Sequence, residues 1–228
     1  MKHRAKLALL AIGIIGVVVV ALHSFNRKPM HDGNPPVVQT VHSAASLVRA
    51  GDPIAGNSLA TVTIVDFYDL RCPPCRRMNL RFERLMQSDH KFRYVPVDYP
   101  ILGKPSLLGT RALFAAHLQH KYRALRRILM RQKPKPTMAL LQADAKVAGI
   151  DWAALQIAMN GPVVAARLQD NLARGHGLGL KFVPSWYIGH QRIIGSISYA
   201  ALVKTVDRVE QRQKQTAAIL PAVANHKS

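Results

Sequence analysis

Apolar positions change period several times along this chain, and each change marks an element. Val62, Thr63, Ile64 and Val65 form a β-rich apolar run that predicts a buried strand. From Arg76 to Gln87 the period becomes helical, with Met78, Phe82, Leu85 and Met86 on one face. Phe92 to Asp98, FRYVPVD, predicts a second buried strand. A long helical stretch follows. Ser106 can cap a helix to about Gln119, with another from near Tyr122 to Arg131. Thr137 caps the next, ended by Gly149 after Ala148, and Asp151 caps a short one that stops at Asn160-Gly161. Pro162 suits the first turn of a further helix, fading near Gly175. Ser185 to Gly189 and Arg192 to Gly195 read as a hairpin turning at Gly189-His190, and Ser198 caps a final helix with Leu202, Val203, Val206 and Val209 on its apolar face. From about Gln213 the tail is expected to be disordered, with Pro221 breaking any continuation.

Residues 1–28 carry a different pattern. Leu7 to Leu22 is an uninterrupted apolar run behind Lys2, Arg4 and Lys6, and it extends through His23, Ser24 and Phe25 to about the minimum bilayer span. The residues that follow lack the small A-x-A pair of a cleavable signal peptide. An uncleaved transmembrane signal anchor is therefore expected, cytoplasmic at its N-terminus by the positive-inside rule, although Arg27 and Lys28 reduce the asymmetry. Residues 29–50 are expected to be a tether, with Ala44 to Arg49 a short helix inside it. Residues 51–212 then form the body and 213–228 the tail, a division that suits one domain with appendages in 228 residues, 49% of them hydrophobic.

Candidate chemistry sits where the first strand meets the first helix, at Cys72-Pro73-Pro74-Cys75. Strand, Cys-x-x-Cys, helix is the context that makes this spacing a redox signal, and two cysteines in the whole chain suit a dedicated pair. Cys72 falls at the helix start, where partial positive charge favours a thiolate. Pro73 and Pro74 occupy positions whose missing N–H groups cost little. Arg71, Arg76 and Arg77 add positive charge beside the thiol, and Cys75, a turn further in, is placed to resolve a mixed disulfide. Two structural thiols or half of a zinc site are the alternatives; zinc would need two more ligands, and no second cysteine pair or close histidine pair stands at finger spacing.

VDFYDLRCPPC resembles the active-site stretch of the thioredoxin superfamily, including an acid six residues before the first cysteine, Asp66. The resemblance implies that Asp66 is buried behind Cys75 and assists its proton transfer; a strand-end carboxylate with a local partner is the other reading. Lys181 to Gly189, KFVPSWYIG, resembles the family's cis-proline loop. That implies a cis bond at Pro184, a Val183 backbone that pairs with substrate, and a Trp186 that lines a peptide groove, the alternative for Trp186 being the sheet core. The Asp52-Pro53-Ile54-Ala55-Gly56-Asn57 lead-in and the helical insertion resemble the DsbA-like branch of thiol:disulfide oxidoreductases, over residues 50–212. The fold class expected is α/β: a thioredoxin fold with a helical insertion between the second strand and the cis-proline loop, plus an N-terminal transmembrane helix. Pro-Pro stands between the cysteines where strong oxidases of this branch have Pro-His, which implies a less acidic Cys72, with Arg71 and Arg76 opposing. Val183 resembles the oxidase pattern, and no added dimerisation domain is found.

The resemblance implies an inner-membrane enzyme facing the periplasm that oxidises cysteine-containing exported proteins. It implies no dissociable cofactor beyond the Cys72–Cys75 disulfide, no metal, and recharging by a membrane quinone-coupled oxidase. Two rivals stay open: a reductase or isomerase kept reduced by a membrane electron donor, and a tethered periplasmic peptide or copper(I) carrier using both thiolates. The net charge of +20 includes a run from Lys121 to Lys135 with seven bases and no acid: Lys121, Arg123, Arg126, Arg127, Arg131, Lys133 and Lys135. A solvated helix face is its first reading and contact with anionic lipid headgroups the second. Nucleic acid does not fit an exported body whose bases lack accompanying aromatics. His117 and His120 read as surface histidines sooner than a metal pair.

Overall fold

The computed structural model describes residues 37–40 and 43–224. The expected membrane anchor at 1–28 and the first part of the tether lie outside the described residues. Among the described residues no helix is long and apolar enough to cross a membrane.

Six strands form one mixed sheet: β1 Val37–Thr40, β2 Ala55–Gly56, β3 Val62–Tyr68, β4 Phe92–Asp98, β5 Ser185–Ile188 and β6 Gln191–Ile194, in the order β1-β6-β5-β3-β4-β2. β3 and β4 run parallel through the crossover helix α1, Pro73–Ser88, while β5 pairs antiparallel with β3 on its other side. Five helices separate β4 from β5: α2 Lys104–Leu118, α3 Tyr122–Leu129, α4 Met138–Ala148, α5 Trp152–Met159 and α6 Pro162–Gly177. This is the expected thioredoxin-like arrangement with its helical insertion. A closing helix, α7 Tyr199–Ala224, packs back on the sheet beside α1.

Every residue of β3 is buried because both sheet faces are covered, as parallel central strands require. Its alternation sorts the core. Val62 and Ile64 meet Met78 and Phe82 of α1 and Leu202 and Val206 of α7, whereas Val65 and Phe67 face Val95, Val97, Tyr99 and Tyr187. The insertion closes a third core around Leu113, Leu125, Leu141 and Leu155, and that core includes both cysteines. The expected caps at Thr137, Asp151 and Ser198 each accept from a backbone N–H, those of Leu140, Ala154 and Ala201.

Three expectations are corrected. Ser106 does not cap α2: the helix starts at Lys104 after Gly103, whose φ of +86° suits glycine, and the Ser106 hydroxyl turns inward to Asp69. Val37–Thr40 of the expected tether form β1 on β6, while the short helix expected inside the tether is there as a 3-10 helix at Ala44–Leu47, whose Ala44 N donates to Gly189 O. α6 ends at Gly177, close to where the sequence has it fade, and Gly175 serves close packing, since a Cβ there would run into the Tyr99 ring. α7 runs past Gln213 and through Pro221 to Ala224, so the disordered tail is overturned over those residues.

Candidate active site

Cys72 is the N-cap of α1. Its Sγ accepts from the Cys75 backbone N–H at 3.3 Å, and Pro73 and Pro74 fill the first two helical positions, where a missing donor leaves nothing unpaired. On its other side the Cys72 Sγ lies 3.4 Å from the Val183 carbonyl, to which it donates. The Val183–Pro184 peptide bond is cis, as the sequence motif implies. The helix start and the loop before β5, more than a hundred residues apart in sequence, therefore meet at one sulfur. Both cysteines are free thiols and both are buried.

The two sulfurs are driven apart in acidity. Hydrogen bonding from the Cys75 side chain, reinforced by its backbone N–H, holds the Cys72 thiol below its ordinary range against burial and the charges of Asp69 and Asp66. Burial, followed by the bond to Cys72 and that group's charge, pushes the Cys75 thiol well up. That difference suits Cys72 to the roles of nucleophile and leaving group, and Cys75 to that of a thiol deprotonated by a base.

Asp66 is the nearby candidate for that base. It lies on the β3 face that carries Val62 and Ile64, and Tyr94 of β4, opposite Ile64, donates from its hydroxyl to Asp66 Oδ2 at 2.7 Å. Oδ1 is buried without a hydrogen-bond partner. Burial pushes the Asp66 carboxyl up to about 6, against the lowering effects of Tyr94 and the Arg126 guanidinium, with Asp98 adding to the rise. A carboxyl near 6 can both take and return a proton close to neutral pH.

Arg126 belongs to the basic run read as a solvated face, and here that reading is corrected: its side chain is buried beneath the site. Nε donates to Tyr68 Oη at 3.0 Å, Nη1 to Asn79 Oδ1 at 2.6 Å and Nη2 to Tyr94 Oη at 2.9 Å. Tyr68 and Tyr122 in turn donate to the two oxygens of buried Asp98, Tyr122 at 2.8 Å. Arg126 also borders an open cavity of about 750 Å³, lined further by Lys121, Arg123, Arg127 and Arg131, whose one acidic lining residue is Glu83.

Asp69 is the site residue that sequence reasoning missed. Its carboxylate accepts from the N–H groups of Arg71, Ile101 and Leu102 and from the Ser106 hydroxyl, all within 2.8–2.9 Å, and its carbonyl accepts from Cys72 N at 3.0 Å. It ties the cysteine turn to the loop after β4. An aspartate bonding two residues ahead is a legible turn signal, but the other partners are some thirty residues away.

The flanking arginines sit close by with their guanidiniums held on carbonyls: Arg71 on Leu102 O, and Arg76 on Leu70 O at 2.8 Å and on Gln132 O. Trp186 does not line a groove. It is fully buried, packs edge-on against Phe82 with ring centroids 5.6 Å apart, and donates to Gly195 O. β5 is covered on both faces, so alternation along it offers no solvent side. Among the described residues no group of three or more His, Cys, Asp and Glu side chains is placed to hold a metal ion.

A dithiol on a helix N-terminus, faced by a cis-proline loop and backed by a buried carboxyl, defines a thiol–disulfide exchange site on a thioredoxin-like fold. Comparison with known proteins agrees. The family model described as Thioredoxin matches residues 49–208, and the chain belongs to that family. A thioredoxin-like oxidoreductase from Silicibacter pomeroyi DSS-3 is 32% identical, with a TM-score of 0.67 over 72% of this chain and 94% of its own. The thiol-disulfide exchange protein alpha-DsbA2 from Wolbachia pipientis shares the fold at 22% identity and a TM-score of 0.66, covering 70% of this chain and 88% of its own. A periplasmic thioredoxin-like protein from Salmonella enterica serovar Typhimurium does so at 20% identity and a TM-score of 0.63, covering 76% and 99%. No curated protein matches the chain. The protein is thus homologous to a thioredoxin-like oxidoreductase.

Proposed function

We propose that the protein oxidises cysteine pairs of exported proteins by dithiol–disulfide exchange, anchored in the inner membrane by residues 1–28 with residues 51–212 in the periplasm. The observation that carries this is the split between the two sulfurs: at the helix start Cys72 Sγ accepts from the Cys75 N–H and its thiol is held below the ordinary range, while burial pushes the Cys75 thiol up. A stabilised Cys72 thiolate favours the reduced enzyme, which makes its disulfide an oxidant. The export and anchoring rest on the apolar run behind Lys2, Arg4 and Lys6 and on the periplasmic relative.

In the oxidising direction a substrate thiolate attacks Cys72 Sγ, and the Cys72–Cys75 bond breaks with its electron pair going to Cys75. Asp66 supplies the proton that Cys75 then takes. A second substrate thiolate attacks the substrate sulfur of the mixed disulfide and expels the Cys72 thiolate. The substrate has lost two electrons and the enzyme has gained them, to be withdrawn by a quinone-coupled membrane partner. The Val183 backbone holds the substrate chain as an added strand, supported by the 3.4 Å approach of its carbonyl to the attacked sulfur. Pro184 shapes that loop, and the charges of Arg71 and Arg76 favour the thiolate; Arg76 is close enough to feel both sulfurs.

The reduction potential of the pair, measured on the full chain in detergent against glutathione buffers, tests the direction. A value near about −120 mV supports an oxidase, and roughly −200 mV or lower overturns that direction in favour of reduction or isomerisation. Cys75→Ser should trap mixed disulfides on Cys72. A chain that traps nothing and takes up copper(I) instead is a carrier.

A further inference from the structure

Arg126 brings a fixed positive charge into the core from α3, an element of the insertion, yet the groups it touches belong to β3, α1 and β4. It meets no carboxylate among these bonds; its partners are two phenols and an amide. An arginine can only donate, so each phenol oxygen it bonds must accept there and direct its single proton elsewhere. For Tyr94 that proton goes to Asp66 Oδ2, at 2.7 Å. For Tyr68 it goes to Asp98 Oδ1. Arg126 therefore sets the polarity of both phenols, and among the described residues one of them is the hydrogen-bond donor to Asp66, whose Oδ1 finds no partner there.

We propose that Arg126 is a positioning residue for the exchange reaction: through the Tyr94 hydroxyl it keeps Asp66 available as the carboxylate that takes the Cys75 proton. The inference rests on the thiol–disulfide function proposed above. The charged and titratable groups facing Asp66 are Tyr94 and Asp98 from β4, Cys72 and Cys75 at the start of α1, and Arg126 from α3. The paired β5 residue is Trp186, without charge, and α7 offers the apolar Leu202 and Val206 to this side of the sheet. Tyr94 and Arg126 favour the carboxylate, whereas Asp98 and burial oppose it. Removing Arg126 takes away the only cation in this set and leaves the Tyr94 hydroxyl free to turn.

The step concerned is the resolution of a mixed disulfide on Cys72. The Cys75 thiol gives its proton to Asp66, and its sulfur attacks Cys72 Sγ. The Cys72–Cys75 bond forms, the bond from Cys72 to the other sulfur breaks, and that sulfur departs as a thiolate with the bonding pair.

The test follows this step with glutathione disulfide as the probe. Reduced full chain in detergent is mixed with a large excess of glutathione disulfide, and the decay of the Cys72–glutathione adduct is read by acid quench and mass from pH 5 to 9. Arg126→Met is expected to move the rise of the rate curve to higher pH by on the order of one unit, slowing decay about tenfold below the midpoint. Tyr94→Phe is expected to shift it the same way by at least as much, and Arg126→Lys to restore most of the wild-type curve. In an Asp66→Asn background Arg126→Met is expected to produce no further shift. Curves of Arg126→Met or Tyr94→Phe that overlay the wild type overturn the proposal, as does a shift that persists without Asp66. If Arg126→Met does not fold, Tyr94→Phe, which deletes one oxygen, carries the same test. A wild type that never forms or resolves the adduct instead overturns the redox function itself, and the proposal with it.

Discussion

Arg126 and Arg174 are both buried guanidiniums, and they dispose of their charge in opposite ways. Arg174 of α6 grips Asp52 with both terminal nitrogens, at 3.0 and 3.1 Å, adds the Leu47 carbonyl at 2.7 Å, and is joined on Asp52 by Arg167 at 3.1 Å. Charge meets charge directly, and the result pins the lead-in segment to the insertion. Arg126 reaches its carboxylates at one remove, Asp98 through Tyr68 and Asp66 through Tyr94. A direct pair commits its acid to the cation it holds. A pair separated by a phenol leaves the acid within reach of titration, which is the state a proton-transfer group needs. The same residue type thus makes a clamp in one place and a tuned acid in the other.

The largest effect that separates the two is expected on the clamp. Arg174→Met leaves the buried Asp52 carboxylate with Arg167 as its remaining cation and should cost about 3 kcal/mol of unfolding free energy, the low end for a broken buried pair, read from urea melts, while leaving the pH profile of exchange unchanged. A loss below 1 kcal/mol would make the clamp ornamental.

Asp66→Asn should act with the opposite sign. Burial raises the folded Asp66 carboxyl from 3.8 to about 6, so between those values the folded protein binds the proton more tightly than the unfolded chain. That contribution is fully present below about pH 4 and is lost as pH rises through about 6. Above it the buried carboxylate is a net cost, and Asp66→Asn should stabilise the protein at pH 8 by up to about 3 kcal/mol while slowing exchange. Equal stability of the two proteins at pH 8 would mean that Asp66 is solvated or paired in a way the structure does not have.

Next to the clamp, Gly175→Ala should cost about 1–3 kcal/mol by driving a methyl into the Tyr99 ring. Adding Tyr99→Ala should make the double variant less damaged than the two losses summed, a coupling measurable by thermal melts. The smallest effect is expected at the outer end of the Arg126 network. Arg131 pairs with Glu83 at 2.7 Å with its side chain 56% exposed, so Arg131→Ala should cost less than about 1 kcal/mol.

The cysteine turn was legible because its signals are local. A strand, an N-cap cysteine, prolines in the first helical turn and a Val-Pro loop each announce themselves within a few residues, and the structure brings Cys72 to Val183 as those motifs imply. The caps at Thr137, Asp151 and Ser198 were readable for the same reason. Ser106 shows where that logic ends: its hydroxyl had a local use and a distant one, and the distant acceptor, Asp69, took it. Trp186 was misassigned because strand alternation distinguishes core from surface only when one face is wet. Arg126 was misassigned because seven bases in a row look alike until a helix turns one of them inward. Val37–Thr40 became a strand because β6 stood beside it with unpaired edge groups.

The sequence by itself determined the reactive pair and the central strands and helices, which follow from short-range periodicity, capping and turn chemistry, and resemblance to a known family added the fold class and the loop that faces the pair. Only the tertiary structure decided which acids and cations surround that pair. Asp69 reaches across to the loop after β4, and Arg126 enters from a helix of the insertion to set the direction of two phenol protons. Those choices depend on which side chains share a dehydrated volume, where a charge or a hydroxyl proton counts for far more than in water, and no local pattern along the chain records that.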